Sequence, residues 1–224
     1  GRMLSMSGAI TYGAGSAAVK PPCTSTIPIF CEPSCDPAAA VDVLGVLSDF
    51  ALFTSAGIVG NTGASGINGN IGTNAGAITG FAGGIHIGTQ EVANALTAKA
   101  VVDLEFAYSS LMMLPATATH TAVFLDETLA PGVYDISTAA ALSGLIILDA
   151  AGDPDAIFVV RVAGAFNIAA LSKMILTNGA KRCNVFWIGG AGVATGAVNI
   201  GAASEVKGNF ISHAGACSTG AGVF

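Results

Sequence analysis

Charged residues are scarce in this chain of 224 residues: Asp, Glu, Lys and Arg make up 10% of it, against roughly 25% in an ordinary soluble domain. The net charge is −6 and no Lys/Arg cluster occurs, which argues against nucleic-acid binding, because that binding needs cations against the phosphates. Apolar runs such as GLIILDAAG end short of the roughly 20 residues that span a bilayer, so no membrane insertion is expected. The surface must therefore expose mainly small, uncharged residues.

Patterns for metal binding and catalysis are also missing. The three histidines His86, His120 and His213 are isolated, and no HExxH pattern occurs. In LDAAGDPDAIF, three aspartates could suggest calcium or paired catalytic carboxylates, but Asp-Pro favours a turn in which the side chains accept hydrogen bonds from nearby amides. We expect no metal site, no catalytic residue and no cofactor.

The five cysteines fall into two groups. Three crowd the Pro-rich segment CTSTIPIFCEPSC and two lie in the body of the chain: Cys23, Cys31, Cys35, Cys183 and Cys217. A zinc site stays open as an alternative, but the segment has no histidine and its CxxxC spacing is unlike that of zinc fingers. A disulfide is the prediction, and it implies an oxidising compartment.

Four segments of the chain resemble one another. They are GAITYGAGS from Gly8, GAFNIAALS from Gly164, GAVNIGAAS from Gly196 and GACSTGAGV from Gly215. The last two start 19 residues apart, a period typical of one coil of a solenoid and too short for a propeller blade. In GAVNIGAAS, alternation directs Val198 and Ile200 inward and Ala197 and Asn199 outward, with glycine at the tight corners.

A single solenoid domain over residues 1–224 accommodates this pattern. Its predicted parts are a coil at 1–19, a Pro/Cys-rich connection or cap at 20–42, coils at 43–88, a helix at 89–114 and further coils at 115–224. The first segment is predicted to be the last coil of the solenoid, placed at the other end of the sequence, and to dock beside VKGNFISHAGACSTGAGVF. This order predicts a permuted fold or a piece of a tandem array.

One long helix stands out in TQEVANALTAKAVVDLEFAYSSLMMLP. Thr89 is the predicted N-cap, Pro115 follows its end, and a face is predicted from every fourth residue: Val92, Leu96, Ala100, Leu104 and Tyr108. About 25 residues give roughly 37 Å, which matches seven or eight coils stacked about 4.8 Å apart. The helix is therefore expected to lie along the solenoid.

Several longer stretches resemble a known family. LGVLSDFALFTSAGIVGNTGASGINGNIGT, EVANALTAKAVVDLEFAY, LAPGVYDISTAAALSGLIILDAAGDPDAIFVVRV and NGAKRCNVFWIGGAGVATG are similar to the secreted ice-binding proteins of cold-adapted microbes, the DUF3494 type. The resemblance implies an irregular right-handed β-solenoid of triangular cross-section with one long α-helix packed alongside. It also implies a secreted or cell-surface antifreeze protein that adsorbs to ice, causing thermal hysteresis and inhibiting recrystallisation, and that is not an enzyme.

The site implied by the resemblance is one flat face of the solenoid. Side chains that could contribute are small hydroxyl and amide residues on both halves of the chain: Thr11, Thr62, Ser65, Asn68, Asn70, Thr73, Thr79, Thr195, Asn199, Ser218 and Thr219. The expected partner is the ice surface. A monomer is predicted, with a domain swap through residues 1–19 as the alternative.

Two other functions remain open from the residues alone. A structural or adhesin module of a cell-surface array fits the offset between the chain ends. A polysaccharide-acting β-helix enzyme would need a cleft lined with carboxylates, because fold alone does not decide function.

Overall fold

The computed structural model of the chain describes residues 1–20, 26–28, 40–193 and 195–224. These residues form short strands, two 3₁₀ turns at Gly45–Asp49 and Arg182–Asn184, and one α-helix, α1, at Ala95–Met113. In chain order the strands are β1 (Arg2–Ser5), β2 (Ile10–Tyr12), β3 (Ala17–Val19), β4 (Thr26–Pro28), β5 (Ala40–Asp42), β6 (Phe50–Thr54), β7 (Val59–Asn61), β8 (Gly66–Asn68), β9 (Asn70–Thr73), β10 (Ile78–Thr79), β11 (Ile85–Ile87), β12 (Gln90–Val92), β13 (Ala118–Thr119), β14 (Val123–Leu129), β15 (Gly132–Ile136), β16 (Ala140–Asp149), β17 (Phe158–Val162), β18 (Phe166–Ile168), β19 (Lys173–Thr177), β20 (Val185–Gly189), β21 (Val198–Ile200), β22 (Asn209–Ser212) and β23 (Cys217–Thr219).

Three parallel sheets form the sides of the solenoid. Sheet A runs β12-β9-β6-β1-β22-β20-β17-β15-β13, and sheet B runs β10-β7-β2-β23-β21-β18-β16-β14, with β19 also paired to β16. Sheet C is the short side β11-β8-β3, and β4 and β5 form a separate antiparallel pair. Successive turns of the chain thus add strands to sheets A and B, and three of the turns also add one to sheet C, which is the β-solenoid that the sequence predicts.

The order of the coils along the stack differs from their order along the chain. The first coil, β1 to β3, lies in the interior of the stack: β1 pairs on one side with β22 and on the other with β6. From there the chain climbs to β12, returns along the solenoid as α1, and restarts at the opposite end with β13. The coils from β14 onward then climb back until β23 pairs with β2. Residues 1–19 therefore contact the neighbour predicted for them, but they form an internal coil rather than the end of the stack.

Helix α1 covers sheet A. Its buried side chains include Ala100, Leu104, Ala107 and Leu111, which pack against residues of the six strands β6, β1, β22, β20, β17 and β15. At 1.5 Å per residue the 19 residues span roughly 28 Å, which matches about six coils rather than seven or eight.

The predicted start of the helix is wrong. Residues Gln90–Val92 form β12 and pair with Ile71–Thr73, so the pairing of the terminal coil outweighs the helical pattern there. The N-cap is Asn94, whose side chain accepts a hydrogen bond from the backbone N–H of Thr97 at 2.9 Å, while the Thr97 hydroxyl accepts one from the N–H of Asn94 at 2.8 Å. Val92, predicted to share the buried face of the helix, is instead an exposed strand residue.

Alternate residues of each strand point inward, and their side chains fill the interior of the solenoid. Trp187 is fully buried, stacks on Phe166 with ring centroids 5.4 Å apart and on Phe210 at 6.4 Å, and donates from its indole N–H to the carbonyl of Lys207. Val198 and Ile200 are buried as their alternation predicts. The aromatic stack runs along the solenoid axis and ties neighbouring coils together.

Two of the cysteines fall among the described residues. Cys183 is buried and disulfide-bonded. Cys217, also a disulfide candidate in the sequence, is instead a free thiol on an inward strand position, where burial raises its pKa to about 12. The predictions for Cys23, Cys31 and Cys35 lie outside the described residues.

Candidate functional site

Sheet B is the large side of the solenoid that α1 does not cover. One outward-facing residue of each strand is paired in register with its counterpart on the next strand, and these residues form a row across eight successive strands. We call this the polar row: Thr79, Gly60, Thr11, Ser218, Asn199, Asn167, Ala141 and Val123. The row contains no charged residue, and its members are spaced by the strand separation of about 4.8 Å.

A second row lies two residues earlier in each coil, about 6.6 Å from the first. We call it the methyl row: Ala77, Ile58, Ala9, Ala216, Ala197, Ala165, Ala139 and Thr121. Its members are half-buried or exposed, and they alternate with buried residues, as on one face of a pleated strand. The two rows give the outward face a uniform height, because no side chain in either is larger than isoleucine.

Hydrogen bonds between side chains fix the centre of the polar row. The Ser218 hydroxyl donates to Oδ1 of Asn199 at 2.7 Å, and Nδ2 of Asn199 donates to Oδ1 of Asn167 at 2.8 Å. These bonds run from coil to coil, as in the side-chain ladders of other stacked parallel strands. They hold three neighbouring side chains in one arrangement before any partner arrives.

The repeated segments of the sequence generate both rows. In each of the four, the second residue is the alanine of the methyl row and the fourth belongs to the polar row. The intervening residues, such as Val198 and Cys217, point into the core. Asn167 was missed in the sequence although it occupies this fourth position, so alignment of the repeats would have found it. Val123 and Ala141 lie outside any repeat, and only the register brings them into the row.

The predicted site residues are distributed over several parts of the solenoid. Four of them, Thr11, Thr79, Asn199 and Ser218, belong to the polar row. Thr62 and Thr195 are exposed but precede or follow the strands of sheet B, Asn68 lies on sheet C, and Asn70 lies in sheet A, where its side chain accepts from the N–H of Thr89 at 3.1 Å.

The other three predicted residues are buried at corners. Thr73 is fully buried and donates to the carbonyl of Gly57 at 2.8 Å. Ser65 donates to the carbonyl of Gly13 at 3.1 Å, and the Thr219 hydroxyl accepts from the N–H of Gly13 at 2.9 Å. These hydroxyls satisfy backbone groups where the chain turns, so their side chains do not reach the outward face.

The aspartates of LDAAGDPDAIF form the predicted turn. Asp149 accepts from the N–H of Ala151 at 2.8 Å, and Asp153 accepts from the N–H of Asp155 at 2.9 Å. The first of these bonds, together with one from Asn178, lowers the pKa of Asp149. Within the described ranges, no group of three or more His, Cys, Asp or Glu side chains could hold a metal ion.

No helix in the described part of the chain is long and apolar enough to cross a membrane.

Comparisons with known proteins agree with this architecture. The model of the family described as Ice-binding-like matches residues 52–223. An ice-binding protein of Nostoc sp. (strain HG1) is 33% identical over 177 residues, which cover 78% of this chain and 63% of that relative. The chain thus spans less than two thirds of that relative's length.

Solved structures resemble it as well. The ice-binding protein of the Antarctic ascomycete Antarctomyces psychrotrophicus superposes with a TM-score of 0.71 at 30% identity, covering 79% of this chain and 94% of that one. An ice-binding protein from an Antarctic bacterium of the Flavobacteriaceae gives a TM-score of 0.70 at 36% identity, over 80% of this chain and 45% of that one. Because the family model matches most of the chain, this chain belongs to the ice-binding-like family.

Proposed function

We propose that this protein adsorbs to ice through the polar and methyl rows of sheet B and thereby inhibits ice growth and recrystallisation. The observation that carries the proposal is the pair of uncharged, in-register rows on the side of the solenoid that the helix leaves uncovered. Family membership supports the same function, and the relatives described above are ice-binding proteins.

The physical argument is preorganisation. A rigid face of methyl, hydroxyl and amide groups at a constant spacing can hold water in ordered positions before contact with the crystal. Incorporating that water into the crystal then costs little additional entropy, as for any binder already fixed in its bound state. The hydrogen-bonded side chains of Ser218, Asn199 and Asn167 contribute because their conformations are already set.

Other features of the chain fit a role outside the cell. The disulfide at Cys183 favours an oxidising compartment, and the low surface charge fits contact with an uncharged crystal. We therefore propose a secreted or cell-surface protein that acts as a monomer, with a domain swap through residues 1–19 as the alternative state. Against the polysaccharide-acting enzyme, the groove between the end of α1 and the end of β15 is lined by one carboxylate, Asp135, which is paired with Arg161.

The test is thermal hysteresis, the gap between melting and freezing points, together with the shape of ice crystals grown in dilute protein. Thr11→Tyr and Asn199→Tyr each place a bulky ring on the polar row and are expected to remove most of the hysteresis. Ser109→Tyr, on the exposed side of α1, is the matched control and should retain it.

Thr62→Tyr tests whether the corner beside sheet B belongs to the site: reduced hysteresis would include this corner, and full hysteresis would exclude it. Round ice discs with the unchanged protein would overturn the proposed function. Faceted crystals and full hysteresis with Thr11→Tyr and Asn199→Tyr would keep ice binding but would overturn the assignment to sheet B.

A further inference from the structure

A groove separate from the flat face lies where sheets A and B meet near the β13 end of the solenoid. We call it the corner groove. It has a volume of about 670 Å³ and lies between the C-terminal end of α1, the 119–122 segment and the end of β15. This volume is within the range of roughly 300–1,000 Å³ found for small-molecule sites. A concave surface cannot match a flat crystal plane, so a ligand of the corner groove must be something other than ice.

The cation that lines the corner groove is already neutralised. The guanidinium of Arg161 donates to both carboxylate oxygens of Asp135, at 2.5 and 2.8 Å. Its remaining Nη1 group donates to the carbonyls of Leu111, Met112 and Leu114, which end the helix. Arg161 is only 6% exposed. An anionic ligand would therefore find no cation free to bind it, and a cationic ligand would have to compete with Arg161 for Asp135.

The imidazole of His120, in the groove wall, already has a partner at each ring nitrogen. Nδ1 of His120 lies 2.8 Å from the carbonyl of Thr121, and Nε2 lies 2.9 Å from the carboxylate of Glu127. One face of the ring stacks on Phe124 with centroids 4.0 Å apart. His120 thus shapes the wall without offering a free nitrogen.

The groups left to meet a ligand are hydroxyls beside small apolar patches. Thr119 and Ser137 are exposed, and within the described part of the chain neither hydroxyl has a hydrogen-bond partner. Asp135 keeps about half of its side-chain surface open, so its oxygens can accept further bonds. Met112 and Ala163, both half-buried, supply apolar contacts. An apolar ligand would leave the hydroxyls unpaired, which costs free energy on binding.

We propose that the corner groove binds a neutral, polyhydroxylated ligand, an oligosaccharide of a few rings. Such a ligand carries both donors and acceptors for Ser137, Thr119 and Asp135, together with C–H faces for the apolar contacts. Thr121 lines the groove and also ends the methyl row, so the bound sugar would lie at the edge of the two rows of sheet B. The site would hold the protein on polysaccharide at a cell surface while sheet B remains free. This proposal does not depend on ice adsorption.

The experiment is saturation-transfer NMR on the whole protein with maltotriose, cellotriose and, as a charged comparison, trigalacturonate. We expect saturation to pass to a neutral trisaccharide and not to the trigalacturonate. Ser137→Tyr fills the groove and should abolish the signal, whereas Thr128→Tyr, at another exposed position outside the groove, should retain it. Thr119→Val removes one hydroxyl with little change in shape and should weaken binding about two- to tenfold, the equivalent of one hydrogen bond.

The thermal melting curve of each variant establishes that it is folded, and Thr119→Val serves if Ser137→Tyr is not. No transfer to either neutral trisaccharide at millimolar concentration would overturn the proposal. So would full transfer in folded Ser137→Tyr, or stronger binding of the trigalacturonate. Thermal hysteresis is measured on the same samples, so failure of the sugar site is distinguished from failure of ice adsorption.

Discussion

At the level of single residues, the buried guanidinium of Arg2 joins three coils of the stack. It is fully buried and donates to the carbonyls of Phe50 and Ser48 in one neighbouring coil and to the side chain of Asn209 in the other. Asn209 in turn donates to the carbonyls of Cys183 and Val185. Burial lowers the pKa of Arg2 to about 10, which leaves it charged at neutral pH. The carboxylates of Asp42 and Asp49 raise its pKa and so partly offset the effect of burial.

Replacement of this side chain should destabilise the fold strongly. Arg2→Met keeps much of the apolar volume but leaves three buried acceptors without their donor, which should lower the free energy of unfolding by about 3 kcal/mol. Urea unfolding followed by circular dichroism measures the change. Arg182→Met is the matched control, because Arg182 is partly exposed and has no side-chain hydrogen bond among the described residues. An equal midpoint for Arg2→Met and the unchanged protein would contradict the role assigned to Arg2.

The residues of the candidate site were only partly predictable. Thr11 and Thr73 are both threonines in short Gly-flanked strands, yet one lies on the polar row and the other donates to a backbone carbonyl at a corner. The difference is the sheet, A for Thr73 and B for Thr11, together with the parity of the strand position, because one residue of shift exchanges inward and outward side chains. The repeats fix that parity for Asn199, but no repeat fixes it for Thr73.

At the level of the elements, the corners of the coils depend on glycines that stack on one another. A Cβ added at Gly13 would lie 2.2 Å from the carbonyl oxygen of Gly220, and one at Gly8 would lie 2.4 Å from that of Gly215. Adjacent coils approach closely at these positions, so the first position of all four repeats is glycine, and the sixth is glycine in three of them and Ala169 in the fourth. The corner sets the spacing at which sheet B stacks.

A methyl group at such a corner should separate two coils. Gly13→Ala is expected to cost about 1–3 kcal/mol, as overpacking does elsewhere, and to reduce thermal hysteresis because the polar row loses its constant spacing. Gly83→Ala is the control, since nothing lies within 4 Å of its added Cβ. Its unfolding midpoint should be unchanged or slightly higher. Equal midpoints for the two variants would show that the corners can expand without cost.

Helix α1 shows which features of a helix the spacing of apolar residues can predict. Its existence, its end near Pro115 and the burial of Ala100 and Leu104 were predicted, whereas its start was placed at Thr89. Spacing by four drifts around an α-helix, and the buried side follows 97, 100, 104, 107 and 111 instead. The capping pair of Asn94 and Thr97 was visible in the sequence, but the strand pairing that displaces the start depends on residues 71–73, which lie far along the chain.

At the level of the whole molecule, one stack of coils grows outward from residues 1–19 to β12, and a second stack starts at the opposite end of the solenoid and grows back to residues 1–19. The repeat at Gly8 matches the repeat at Gly215 because the coils that carry them are neighbours, paired through Ile10 and Cys217. The sequence predicted this contact from the shared pattern. It did not predict that β6 and β7 pack on the other side of the same coil, because residues 50–61 carry no close copy of the repeat.

Deletion of residues 1–19 should divide both large sheets. Strands β6 and β22 in sheet A, and β7 and β23 in sheet B, would lose the strand between them and expose unpaired edges, which promote association between chains. We expect the shortened chain to self-associate in size-exclusion chromatography, to melt at a lower temperature and to lose most of its thermal hysteresis, since the polar row would be interrupted at Thr11. A synthetic peptide of residues 1–19 should restore the elution volume of the full chain by inserting as the missing coil. A monomeric shortened chain with the melting temperature of the full one would contradict the central position of this coil.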